Sequence, residues 1–157
     1  RAAMVASQQA KTGTPIAEIE VIAQPTALTT DDADYVAAET VLLVEDDESV
    51  RRATRALLER IGFDVIDAAT PSEALSILRD PMAVVDVLLT DVMLPDMRGT
   101  ELARIARIER SDIRVVCMSG FPGAVSAAES ADPTEPYLQK PFSAETLARA
   151  LRSAKPR

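Results

Sequence analysis

Val41-Leu42-Leu43-Val44-Glu45-Asp46-Asp47 is the stretch on which the fold turns. Four aliphatic residues in unbroken succession read as a short strand buried on both faces, and such strands belong to parallel sheets covered by helices. The run stops at acids. Beyond them Val50, Leu57 and Ile61, with Ala53 and Thr54 between, make one helical stripe. Gly62 is placed to end that helix, as glycine often does after a last turn.

Outward from this unit the alternation repeats. Val65-Ile66 reads as a second strand. In Thr70-Pro71-Ser72-Glu73, Thr70 is an N-cap, Pro71 the first helical residue, and Glu73 is placed to close a capping box. Val84 to Leu89 is the longest apolar strand, interrupted by Asp86, and a loop from Asp91 to Arg98 leads to a helix carrying Leu102, Ile105 and Ile108. Val115-Val116-Cys117-Met118 reads as strand four and Tyr137-Leu138-Gln139 as a short strand five. Ser143 caps a last helix through Leu147 and Leu151. Five strands alternating with helices predict an α/β fold, a doubly wound five-stranded parallel sheet. The fourth crossover, Phe121 to Pro136, holds Pro122, Gly123, Pro133 and Pro136 with Val125 as its aliphatic anchor, so a short, poorly packed helix is expected there.

Composition narrows the function classes. The chain has 157 residues, room for one domain of roughly 100–150 residues and a tail. Aromatics make up 3% and Trp is absent, so the core must come from Val, Leu, Ile, Ala and Met. One cysteine, Cys117, excludes an intrachain disulfide. No apolar run approaches the roughly 20 residues of a membrane span, and the first residues lack a signal peptide's apolar core. A cytoplasmic chain without membrane contact is expected. Net charge is −8: residues 1–39 hold six acids and two bases, residues 40–157 nineteen acids and fifteen bases. Without a basic stripe, nucleic acid is not an expected partner. Arg51, Arg52 and Arg55 cluster at helical spacing and read as a solvated helix face. Residues 1–39 are rich in Ala, Thr, Gln and acids, with Ile16 to Ile22 as a possible short strand, and read as a mobile linker or arm before a domain spanning 40–154.

In a doubly wound sheet, ligands sit outside the carboxyl ends of the strands, near the switch point in strand order. The residues at those ends fit the rule. Glu45 and Asp46 follow strand one, Asp91 ends strand three, Ser119 strand four and Lys140 strand five. Each alone has an ordinary explanation: a turn acid or helix cap, a Ser-Gly turn, a solvated lysine. Their joint placement on four strand ends outweighs it. Crowded carboxylates repel unless a cation neutralises them, and Mg²⁺ prefers a few carboxylates together with water and phosphate oxygens. The set looks built for a metal ion and a phosphoryl group.

The segments VLLVEDDESVRR (41–52), LLTDVMLPDMRG (88–99), VVCMSG (115–120) and YLQKPF (137–142), in this order and spacing, resemble the receiver domain of two-component response regulators. The resemblance covers about Thr40 to Ala154. It implies a flavodoxin-like fold with strand order 2-1-3-4-5. It further implies that Asp91 accepts the phosphoryl group, with Mg²⁺ or Mn²⁺ as cofactor. Asp46 is then a direct ligand, Glu45 acts mainly through water, and the Met93 backbone carbonyl supplies another ligand. Ser119 is to hydrogen-bond a phosphoryl oxygen and Lys140 to pair with the phosphate, with a cis peptide bond to Pro141. Tyr137 matches the aromatic residue that turns inward when Ser119 moves, completing a switch.

The donor must be external, a histidine kinase or histidine phosphotransfer protein, because the chain contains no histidine. The sequence departs from the family's commoner pattern in two places. Serine stands at 119 in place of threonine, and Ser130 to Pro136 lacks the usual Gly-Ala turn. With so thin a fourth crossover, a monomer is expected. Two other readings compete. A haloacid-dehalogenase-like phosphohydrolase also forms phosphoaspartate but needs a second Asp two residues on, where this chain has Met93. A receiver-shaped interaction module without phosphorylation predicts loss of a site residue, and none is lost. The Arg start and the close of the chain soon after the last helix favour the C-terminal receiver of a hybrid histidine kinase over a single-domain regulator.

Overall fold

The structure is a computed structural model and describes residues 37–122 and 135–156. Nine elements alternate along it: β1 (Thr40–Val44), α1 (Glu48–Arg60), β2 (Asp64–Ala68), α2 (Pro71–Arg79), β3 (Val87–Asp91), α3 (Gly99–Glu109), β4 (Arg114–Ser119), β5 (Tyr137–Gln139) and α4 (Ala144–Ser153). The strands form one sheet in the order β2-β1-β3-β4-β5, every neighbouring pair parallel.

Alternation along each strand divides the core in two. Leu42, Val44, Leu88, Val115 and Cys117 face one side, where Ala74 and Leu78 of α2 and Leu102, Ala103 and Ala106 of α3 close over them. Val41, Leu43, Val87, Leu89, Val116 and Met118 face the other, under Leu58 of α1 and Leu147, Ala150 and Leu151 of α4. All five residues of β1 are buried, as expected for a central parallel strand with helices on both faces. Each fully buried aliphatic side chain contributes roughly 1.5–3 kcal/mol relative to exposure.

Local signals place the helix ends. Asp47 caps α1, its side chain accepting from the Val50 N–H, and Gly62 follows the helix at φ +100°, a conformation open to glycine. Thr70 caps α2 with Pro71 at its start; Glu73 reaches back to the Ala69 N–H (2.8 Å), one residue before the cap. Ser143 caps α4 by accepting from the Thr146 N–H (3.1 Å).

Three expectations need correction. The third strand begins at Val87, not Val84, which is 65% exposed. Asp86 ends the preceding loop by taking the Thr40 N–H on its carboxylate (2.7 Å) while its own N–H bonds the Thr40 carbonyl (2.9 Å). On α3 the buried stripe is Leu102, Ala103 and Ala106, whose small alanines allow close approach to the sheet, and Ile108 faces solvent. The arginine cluster of α1 is not uniformly solvated: Arg52 is, but the Arg51 side chain is 17% exposed and turned onto Asp67 of β2, which Arg55 also holds. Periodicity did not single out Leu58, fully buried on α1.

The expected arm at 1–39, its short strand at 16–22 and the helix of the fourth crossover lie, apart from a few flanking positions, outside the described residues. Among the described residues, no helix is long and apolar enough to cross a membrane.

Candidate functional site

The switch point falls between β1 and β3, where the chain leaves β1 for β2 on one side and later returns to pair β3 on the other. Glu45 continues the line of β1, its N–H bonding the Ala68 carbonyl (3.2 Å), before the chain turns into α1. Its side chain folds back into the rim, where Oε1 accepts from the Asp47 N–H (3.2 Å), and the residue is 1% exposed. Asp46 between them is exposed.

Asp91 ends β3 and is 7% exposed. Its Oδ1 accepts from the Met93 N–H (2.8 Å) in a tight turn. The Gly99 N–H then bonds the Val92 carbonyl (2.9 Å), which pulls the start of α3 onto the end of β3. A Cβ at Gly99 would lie 1.9 Å from the Asp91 carbonyl oxygen and 3.0 Å from Thr90 Oγ1, so no side chain fits there. Gly99 and the fully buried Thr90 were missed in the sequence. The available signal for Gly99 was a glycine at a helix start with no capping side chain before it.

Ser119 ends β4 with no exposure, its Oγ accepting from the Phe121 N–H (3.1 Å). In register beside it, β5 leads into Lys140, whose N–H bonds the Ser119 carbonyl (2.8 Å). The Lys140–Pro141 peptide is cis. Lys140 Nζ reaches across the rim to Asp91 Oδ2 (2.6 Å) and to Glu45 Oε2. Tyr137 opens the outer strand β5 in register with Cys117 and is 38% exposed, apart from this cluster.

Glu45, Asp46 and Asp91 each offer a carboxylate oxygen, and the three oxygens lie within 4.8 Å of one another. The Lys140 ammonium binds two of these three carboxylates, Glu45 and Asp91. Burial pushes the Glu45 carboxyl above its ordinary pKa, with Asp91 adding to the push and Lys140 and the Asp47 N–H opposing it. Burial works to lower Lys140, but its hydrogen bonds to Asp91 and Glu45 prevail and the ammonium is held above its ordinary value. Lys140 therefore stays charged at neutral pH, and negative charge remains in excess. Hard oxygen donors with surplus negative charge fit a divalent ion of the Mg²⁺ or Mn²⁺ kind. The soft donor nearby does not compete, because burial holds the Cys117 thiol protonated, pushed up to about 11. Two residues past Asp91, Met93 presents a half-exposed thioether that cannot carry a proton, which counts against a dehalogenase-like hydrolase.

Comparison with known proteins points the same way. A family model described as the response regulator receiver domain matches residues 41–152. The chain is 36% identical over 120 residues to the sensor kinase CckA of Brucella abortus, covering 76% of this chain and 13% of the kinase. It is 34% identical over 104 residues to the response regulator receiver protein CpdR of the same organism, covering 65% of this chain and 84% of that protein. A crystal structure of the receiver domain of the hybrid histidine kinase CckA superposes with a TM-score of 0.59 at 31% identity, covering 72% of this chain and 95% of that one. The chain thus spans about an eighth of the kinase and most of the receiver protein CpdR. Sheet order, rim and matches agree: this chain belongs to the response regulator receiver domain family, whose members bind Mg²⁺ in an acidic pocket and work in two-component phosphorelays with histidine kinases or phosphotransfer proteins.

Proposed function

We propose that Asp91 is the phosphoacceptor of this receiver, and that Glu45, Asp46, Asp91 and the Met93 carbonyl hold the Mg²⁺ or Mn²⁺ ion it needs. The observation that carries the reading is the Lys140 ammonium on Asp91 Oδ2, set among three carboxylate oxygens within 4.8 Å of one another. The bound ion supplies positive charge for the phosphoryl oxygens. The chain's own residues do the rest. The Met93 N–H and Lys140 orient the Asp91 carboxylate before a donor arrives. An Asp91 oxygen attacks phosphorus as the bond to the donor histidine nitrogen breaks, giving an acyl phosphate and a free imidazole. Lys140 moves its pairing from the carboxylate to the phosphoryl oxygens. Ser119 Oγ leaves the Phe121 N–H for a phosphoryl oxygen, and Tyr137 turns inward as the readout.

The donor is a histidine kinase or phosphotransfer protein, since the chain has no histidine. An open groove of about 570 Å³ beside Lys140, lined by Val50, Ala53, Leu57, Pro141 and Phe142, offers the donor an apolar surface next to the site. The likeness to CckA supports a place in a hybrid kinase. The match to most of CpdR favours the second reading, a free-standing regulator. In either setting the domain works in the cytoplasm, as a monomer, without nucleic acid.

The test is Asp91→Asn, which keeps the shape but cannot act as nucleophile. Hydroxylamine-labile labelling from a phosphohistidine donor with Mg²⁺ should disappear while the circular dichroism spectrum is unchanged. Labelling equal to wild type would refute the assignment.

A further inference from the structure

A second cation approaches the acidic rim from behind. Arg51, in the first turns of α1, places Nη1 at 2.9 Å from the Glu45 carbonyl oxygen and at 3.5 Å from that of Asp46. Its Nε donates to Asp67 Oδ2 on β2 (3.2 Å). Arg55, one turn further along α1, holds the other oxygen of Asp67 and is itself braced by Glu59 (2.9 Å). The planar guanidinium is thus fixed through Nε by a carboxylate on one side and shares its Nη1 between two successive peptide carbonyls on the other. Those carbonyls belong to the two residues whose side chains join Asp91 in the acidic cluster.

The rest of the turn is pinned at its ends. The Glu45 N–H bonds Ala68, and the Asp47 carboxylate caps α1. Between those points the Arg51 contacts hold the peptide planes on either side of Asp46. Asp46 is exposed, and packing does not fix where its carboxylate goes. Its direction follows from the backbone.

We propose that Arg51 is a positioning residue for the divalent ion: oriented by Asp67, it holds the turn after β1 in the shape that brings the Glu45 and Asp46 carboxylates to Asp91. This rests on the reading of the cluster as the ion site. The charge and the geometry of Arg51 pull in opposite directions. A guanidinium near the cluster repels a cation, so on electrostatics alone its removal should tighten ion binding. Loss of a positioning contact should weaken it, commonly by 10–100-fold for partners that orient metal ligands.

The test is calorimetric titration of Mn²⁺, the ion alone, into the full chain. Wild type, Arg51→Met, Arg51→Lys and the surface control Arg52→Met are compared below their unfolding midpoints. Arg51→Met should raise the Kd about 10-fold. Arg51→Lys, which keeps the charge but has no second nitrogen to hold Asp67 and the carbonyls together, should raise it in the same direction, and it carries the test if the Met variant does not fold. Arg52→Met, at a side chain 79% exposed, should leave Kd unchanged. Binding by both folded Arg51 variants as tight as wild type or tighter overturns the proposal, and a lowered midpoint with unchanged Kd assigns Arg51 to fold stability alone. If wild type itself binds no ion, the ion-site reading falls and this proposal with it, a result distinct from tight wild-type binding that the variants share.

Discussion

Asp86 and Asp91 stand at opposite ends of the same strand and are used in opposite ways. At the amino end, Asp86 takes the Thr40 N–H, and nearby Arg114 pairs with Glu39 (2.8 Å). Each charged side chain there has a partner from the neighbouring strand or its approach. At the carboxyl end, Asp91 and Glu45 share the Lys140 ammonium with the Asp46 carboxylate beside them, and the most buried of the three acids, Glu45, has its pKa raised by burial. A structural carboxylate is satisfied by the fold. A chemical one is left with surplus charge that something from outside must meet.

Removing the ion should give the largest effect that separates the two ends. Excess chelator should abolish labelling of wild type by a phosphohistidine donor; full labelling would contradict an ion-dependent site. Saturating Mg²⁺ should also raise the thermal midpoint, since an ion at 100 times its Kd stabilises by about 2.7 kcal/mol. Asp46→Ala should reduce that shift more than Glu45→Ala, because the Glu45 carboxylate is already engaged by Lys140 and the Asp47 N–H.

Next in size is Gly99→Ala. The new methyl would overlap the Asp91 carbonyl, so α3 must move from the end of β3. Overpacking of this kind costs about 1–3 kcal/mol, and labelling should slow as Asp91 shifts. Denaturant titration alongside the labelling rate checks both; a neutral substitution on both counts would show that the approach is looser than described.

Cys117 predicts a smaller, pH-dependent effect. Its folded pKa is raised from 9.0 to about 11 by burial, so the fold favours the neutral thiol. Below pH 9 both states carry the thiol and nothing changes. As pH rises from 9 toward 11 the unfolded chain ionises first, and stability falls by up to roughly 2 kcal/mol. Cys117→Ala should remove that part of the slope in midpoint against pH; an identical slope would mean the thiol is not held protonated.

Asp86→Asn should have the smallest effect. An amide oxygen still accepts the Thr40 N–H, so the loss is about 1 kcal/mol, the difference between a charged and a neutral acceptor. Labelling should be untouched. Equal damage to labelling at Asp86 and Asp91 would erase the contrast between the ends.

Much of this was legible because parallel strands announce themselves. Val41 to Val44 and Val115 to Met118 are unbroken apolar runs, and topology alone places the next residues of the chain at the carboxyl edge. Hence Glu45, Asp46, Asp91, Ser119 and Lys140 could be named from the chain itself. The misses share one cause: they depend on what a residue meets across space. Val84 and Ile108 are aliphatic yet exposed, because loop geometry and helix rotation, not side-chain type, decide which residues the core takes. Arg51 and Arg52 are the same residue type side by side, and only the position of Asp67 on β2 separates a clamp from a solvated charge. Gly99 is decided by a carbonyl eight residues earlier.

Whether the phosphoryl group rests on Asp91 can be read residue by residue through reductive mapping. Wild-type chain labelled in Mg²⁺ from a phosphohistidine donor is treated with borohydride, which converts an aspartyl phosphate to homoserine, then digested and sequenced by mass spectrometry. Homoserine is expected at position 91, with Asp46 and Asp86 unmodified. Homoserine at another acid, or a labelled chain with none at 91, would contradict the assignment of Asp91.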